Sequence, residues 1–226
     1  MITGSTRGIG LATAVEFLKA GDRVAIFCRH KGHVEAARRL LSSYGKKEHI
    51  LGIVGDVRKE ADAQRIITQC LKHFGWIDIL INNAGVGAYK PIEETTEKEW
   101  DTVLDTNLKG CFLFMRQVIP IMKKQGRGIV INVSSGLGVE GMANFSAYCA
   151  SKFGVVGLTQ VAADETTDTG IKVYTVLPGA VDTQLMSGSG LEIDPSELMA
   201  PAYVAKRIFK LAKGTPKSGQ LVEVYS

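Results

Sequence analysis

Tyr148 and Lys152 stand four residues apart in SAYCASK, Ser146 to Lys152, within a stretch that reads as helix. Residues i and i+4 share a helix face, so the phenol and the ammonium can approach each other. A phenol gives up its proton near pH ~10, too high for ready exchange at neutral pH, and an adjacent ammonium favours the phenolate. Such a pair has the makings of a general acid. The same spacing is common on solvated helices, where it does nothing. What the rest of the chain places beside it must decide.

The chain opens MITGSTRGIGLA, with Gly4, Gly8 and Gly10 between a short apolar start and an amphipathic helix. Glycines permit a tight turn and close approach of a ligand to the backbone, and a helix N-terminus offers free N–H groups to a pyrophosphate. The loop Gly4, Ser5, Thr6, Arg7, Gly8, Ile9, Gly10 has the spacing G-x-x-x-G-x-G, not the commoner G-x-G-x-x-G. Heading a strand–helix–strand pattern, it points to a dinucleotide. A carboxylate at the end of the second strand would select NAD by bonding the ribose 2′-hydroxyl. Here Cys28 and Arg29 stand there instead, and Arg7 can reach the same region. Two cations and no carboxylate favour a 2′-phosphate, hence NADP(H); the alternative is two solvated arginines.

The elements that must hold these groups are apolar β-branched runs alternating with amphipathic segments. Arg23–Cys28, His49–Val54, Ile77–Asn82, Gly128–Val133, Ile171–Val176 and Gln220–Val224 read as strands. Their apolar character is continuous, as in strands buried on both faces. Segments 9–20, 33–44, 59–74, 96–124, 148–168 and 203–212 read as helices. The pattern predicts an α/β fold with a parallel, doubly wound sheet in the order 3-2-1-4-5-6-7. It reads as one domain over residues 1–226, with a lid over roughly 180–199. Segment 96–124 is apolar over more than one face. It predicts burial against its own sheet and against a second subunit, in a homodimer or homotetramer. A helix wedged into one large core explains the pattern equally well.

Composition narrows the function classes. With 226 residues, 45% hydrophobic and 22% charged, the chain can bury a full core. The net charge of +4 is spread out, and Arg29, His30 and Lys31 form a cluster too short for nucleic acid, though able to meet one phosphate. His30 and His33 lack partnering ligands and read as solvated, so no metal site is expected. Cys28, Cys70, Cys111 and Cys149 are widely spaced, which suggests a reducing compartment. With no apolar run long enough for a membrane span and no signal peptide, the expectation is a soluble cytoplasmic protein.

TGSTRGIG, NNAG (Asn82 to Gly85), VSS, YCASK and PGAVDT (Pro178 to Thr183) occur in the order and spacing of the short-chain dehydrogenases/reductases. The chain resembles that family over almost its whole length, most closely the compact NADP-dependent carbonyl reductases and ketoreductases. The resemblance implies a Rossmann-type fold. It makes Ser135 the group that polarises a substrate oxygen, Tyr148 the proton donor and Lys152 the residue holding the nicotinamide ribose. Asn107 would kink the long helix. Asp56 and Val57 would flank the adenine, Asn83, Ala84 and Gly85 would line the path to the nicotinamide, and Pro178, Gly179, Val181 and Thr183 would seat its amide. Arg7 and Arg29 match the basic positions of NADP-preferring relatives. The pocket falls on Val86 to Lys90, Gly136 to Phe145 and the lid. Its apolar residues Leu137, Val139, Met142, Phe145, Leu185 and Met186 suit a small or medium apolar carbonyl compound. Two departures bear on the ends: only Met1 and Ile2 precede Thr3, and no glycine-rich tail follows the last strand. The competing function is an NADP-binding regulator without catalysis, a class that usually lacks the tyrosine or the lysine.

Overall fold

The computed structural model describes residues 1–214 and 216–225. The apolar runs form strands β1 (Ile2–Thr3), β2 (Val24–Cys28), β3 (Ile50–Val54), β4 (Ile79–Asn82), β5 (Gly128–Val133), β6 (Ile171–Pro178) and β7 (Leu221–Val224). They make one sheet, β3-β2-β1-β4-β5-β6-β7, with every pairing parallel. The expected order is the observed one. β1, only two residues long, still sits at the centre: Ile2 is in register with Ile26 on one side and Ile81 on the other.

Between the strands lie α1 (Gly8–Lys19), α2 (Lys31–Leu41), α3 (Glu60–Phe74), α4 (Glu97–Leu104), α5 (Gly110–Gln125), α6 (Ser146–Glu165), α7 (Gln184–Ser187) and α8 (Pro201–Lys213). Alternate strand residues serve opposite faces. Phe27, Leu80, Val130 and Val173 pack with Ile66 of α3, Phe114 and Val118 of α5 and Val155 of α6. Their neighbours Ile26, Ile81, Ile131 and Tyr174 pack with Ala14 and Phe17 of α1, Leu41 of α2 and Ile208 of α8. Both faces are covered, which is why the strands lack alternating polarity.

Two elements differ from their expected extent. Segment 96–124 is not one regular helix. Thr96 caps α4 in a capping box with Glu99, and a π turn over Asp105–Lys109 joins α4 to α5. The helix expected to reach Asp168 ends at Glu165, where Thr166 leaves helical geometry at φ −113° and ψ 10°. Thr166 Oγ1 meets Ala162 O at 2.7 Å and Thr169 Oγ1 meets Thr166 O at 2.8 Å, before Gly170 turns the chain at φ 71°.

Candidate active site

The glycine loop is fastened to its neighbours before any ligand is considered. Thr3 Oγ1 accepts the N–H groups of Asn83 and Ala84, each at 2.8 Å. Asn83 Nδ2 donates to Thr3 O at 3.0 Å and Gly4 O at 3.2 Å. A Cβ on Gly4, whose φ is 60°, would lie 2.8 Å from Ala84 Cα, and one on Gly10 would lie 2.6 Å from Gly4 O. Only glycine fits at either position. Ser5 is buried, donating to Ile2 O at 2.7 Å and accepting from Phe27 N at 3.0 Å. Helix α1 then starts with no side-chain cap and no acidic residue in its first turn. Its free N–H groups and positive end fit an anionic pyrophosphate.

A cleft of about 1110 Å³ runs along the carboxyl ends of the strands. Gly4, Thr6, Arg7, Gly8 and Ile9 line it, with Arg29, Asp56 and Val57 from the β2 and β3 side. Asn83, Ala84 and Gly85 follow β4. Ser135, Tyr148, Lys152, Pro178, Gly179, Val181 and Thr183 line the β5 and β6 side. Ser5, Gly10 and Asn107 do not line it; they lie behind and hold what does. Asp56 is buried, which opposes ionisation. Hydrogen bonds and charge from Arg58, whose guanidinium is 2.6 Å away, with Arg29 further off, nevertheless hold its carboxyl below the usual range.

At the β5 end the serines divide. Ser134 is buried, its hydroxyl donating to Lys152 O at 2.9 Å, while Ser135 lines the cleft. Lys152 is 4% exposed, donates from Nζ to Val133 O at 2.9 Å, and lies 5.5 Å from the centre of the Tyr148 ring. Asn107 sits in the π turn. Its Oδ1 accepts Val86 N at 2.8 Å, and its Nδ2 donates to Val86 O and Ser151 Oγ, each at 2.9 Å. The turn thus aims one amide at both the loop after β4 and the helix of Tyr148 and Lys152.

Two expectations need correction. The ammonium was expected to draw the Tyr148 proton affinity downward; burial instead pushes the phenol up, and the neighbouring Ser135 hydroxyl offsets only part of this. Burial likewise lowers Lys152 to about 8. Arg7 lines the same cleft as Arg29, and its guanidinium bonds the Gln184 side chain of α7, on the lid. Val139 was expected in the pocket; it is exposed, and Leu137, Met142, Phe145, Leu185 and Met186 line the cleft without it.

Tyr89 and Gln184 were not singled out from sequence. The Tyr89 ring lies 4.7 Å from that of Phe145 and 6.3 Å from that of Tyr148, and its hydroxyl reaches Leu185 O at 3.4 Å. Burial pushes its phenol up to about 12, so it remains a donor at neutral pH. An aromatic inside the segment read as pocket, Val86 to Lys90, was the available signal. Gln184 had none: its partner is remote in sequence.

The family model for short chain dehydrogenases matches residues 1–192. Levodione reductase of Leifsonia aquatica is 37% identical over 196 residues, covering 86% of this chain and 73% of that protein. Among solved structures, ElxO with NADP bound superposes with a TM-score of 0.90 at 32% identity, covering 99% of this chain and 95% of that one. A 3-ketoacyl-(acyl-carrier-protein) reductase from Brucella melitensis complexed with NADH gives 0.91 at 29% identity, again over 99% and 95%. With this match, the parallel sheet order and the gathered motifs, the chain belongs to the short-chain dehydrogenase/reductase family.

Proposed function

We propose that this protein is an NADPH-dependent oxidoreductase that reduces a small or medium apolar carbonyl compound, or oxidises the matching secondary alcohol. The observation that carries the reading is one cleft with two differently equipped ends. Ser135, Tyr148 and Lys152 line one end, and Arg29, with no carboxylate beside it on β2, lines the other.

The nicotinamide cofactor supplies or takes the hydride when bound. The chain's own residues do the rest. Ser135 holds the carbonyl oxygen by a hydrogen bond that strengthens as negative charge develops there. Tyr148, kept as a phenol by burial, donates its proton to that oxygen. The Lys152 ammonium binds the ribose and favours the phenolate left behind. Asn107 holds the Val86 loop and α6 in register. Asp56 and Val57 flank the adenine. Asn83, Ala84 and Gly85 line the path between the two ends, and Pro178, Gly179, Val181 and Thr183 seat the amide. Solved relatives carry NADP in one case and NADH in another, so the choice of NADP(H) here rests on Arg29 and Cys28. The reading includes one domain, a cytoplasmic location suited to unpaired cysteines, and a homo-oligomer.

Purified protein tested for NADPH consumption against a panel of apolar ketones and aldehydes should turn over at least one. Tyr148→Phe should lower that turnover by about 10²–10⁴-fold while NADPH still binds. Cofactor binding with no turnover on any compound would favour the regulator instead, and faster turnover with NADH would overturn the NADP assignment.

A further inference from the structure

The Tyr89 ring has no part in the proton and hydride chemistry above, yet it stands in the same cleft. It hangs from the segment 86–90, which is fixed at both ends. At one end the Asn107 amide holds both backbone groups of Val86, at 2.8 and 2.9 Å. At the other, Lys90 N donates to Asn144 O at 2.9 Å, within a parallel bridge between Lys90 and Phe145. Lys90 Nζ also lies 2.8 Å from Glu99 Oε1, in the first turn of α4. A side chain carried between two such anchors is held in place by its support.

The ring's own contacts set its direction. It packs with Phe145, Tyr148, Leu137 and Leu185 in a small apolar cluster separate from the two core layers. It is tilted by 57° against Phe145 at 4.7 Å, and its hydroxyl crosses to the lid, 3.4 Å from Leu185 O. Gly87 leaves room for this: a Cβ there would collide with the Tyr89 hydroxyl. Gly87, Tyr89 and Leu185 all line the cleft, so the ring spans the gap between segment 86–90 and α7. At 3.4 Å the bond to Leu185 O is long and therefore weak, so the bulk of the ring is what closes that gap.

The centres of the Tyr89 and Tyr148 rings are 6.3 Å apart. A flat group between two rings needs a van der Waals contact on each side, roughly 7 Å in all. No such group passes between them. We infer that Tyr89 is a specificity-determining residue, a fixed stop that limits the size of the group a substrate carbonyl can carry toward the gap between segment 86–90 and the lid. This rests on the carbonyl-reducing reading above and names the residue that sets its size limit. Even one methylene in an apolar pocket discriminates between substrates by about 10–200-fold, and the stop is a whole phenol ring.

The test is the ratio of kcat/KM for 2-acetonaphthone to kcat/KM for butanone, with NADPH and NADH both supplied. It is measured on the wild type, Tyr89→Phe, Tyr89→Leu and Tyr89→Ala. Such a ratio does not depend on the folded fraction, so a variant that is only less stable leaves it where it was. Tyr89→Ala should raise it by at least about ten-fold. Tyr89→Leu should raise it less, and it carries the same sign should Tyr89→Ala not fold, because it keeps an apolar contact for Phe145. Tyr89→Phe, which keeps the ring and loses only the hydroxyl, should keep the wild-type ratio. An unchanged ratio in the leucine and alanine variants overturns the role of Tyr89 and leaves the carbonyl reading standing. A rise in Tyr89→Phe as large as in Tyr89→Ala also overturns the stop, since the hydroxyl's hold on Leu185 would then be the cause. Turnover of neither ketone by any of these proteins overturns the carbonyl reading and this role with it.

Discussion

Lys152 shows what holding a cation in the core involves. At 4% exposure it loses nearly all its water, and its hydrogen bond to Val133 O replaces only part of that. Its pKa falls to about 8, whereas a lysine in the unfolded chain titrates near ~10.4. Between those values the unfolded chain binds more protons than the folded one, so this residue makes stability rise with pH from about 8 to about 10.4. Below about 8 both states are charged and the full penalty is present. Lys152→Met should therefore be more stable than wild type at pH 7, by roughly 1–3 kcal/mol after discounting for relaxation. That advantage should shrink toward pH 10. Urea denaturation of both proteins at pH 7 and 9.5 reads the difference; an advantage independent of pH would mean the buried charge is not its source. The same variant should lose cofactor affinity, which explains why such a residue is placed there despite its effect on stability.

The π turn places Asn107 where a regular helix would not. Its amide makes three hydrogen bonds, two partly buried ones to Val86 and a buried one to Ser151. Asn107→Leu leaves the Val86 N–H and C=O without this partner, each at up to about 1–3 kcal/mol where water cannot replace it, so its melting temperature should fall along with turnover. Asn107→Asp keeps the acceptor for Val86 N but loses both donations, and should fall between. Equal melting temperatures for Asn107→Leu and wild type would show that the turn holds itself without the side chain. The chain from Glu97 to Gln125 also marks the limit of what sequence discloses. Its helical character is a local pattern and legible. The π turn is one inserted residue with no compositional mark. The strand runs, the glycine loop and the Tyr148–Lys152 pair were readable because each rests on residues close in sequence. The contact of Arg7 with Gln184 was not readable, because the two lie 177 residues apart and meet only once the lid is folded over the loop. Tyr148 was misread because the dryness around a phenol belongs to the packed molecule.

The packed molecule leaves apolar side chains on the layer of α4, α5 and α6. Trp100 on α4, Phe112 on α5, and Phe153 and Val161 on α6 are exposed by 37, 44, 45 and 54%. The surplus in segment 96–124 thus splits: Phe114, Met115, Val118 and Met122 go into the core, and Phe112 stays outside. On α6, Phe153, Gly157 and Val161 recur at i, i+4 and i+8, one face of a helix. A Cβ on Gly157 would meet nothing within 4 Å, so another helix can approach closely there. Covering one phenylalanine side chain contributes about 1.5–3 kcal/mol, and a two-fold axis doubles each contribution. The proposed homo-oligomer should therefore pair through this face. Phe153→Glu, which sets a carboxylate against its symmetry copy, should sediment as a monomer at micromolar concentration where the wild type is a dimer or larger. Its fold should survive, since the side chain it replaces is largely outside the core, and NADPH binding checks that. A variant that assembles like the wild type would place the contact elsewhere, and a monomeric wild type would leave the apolar face of α6 uncovered and the homo-oligomer reading wrong.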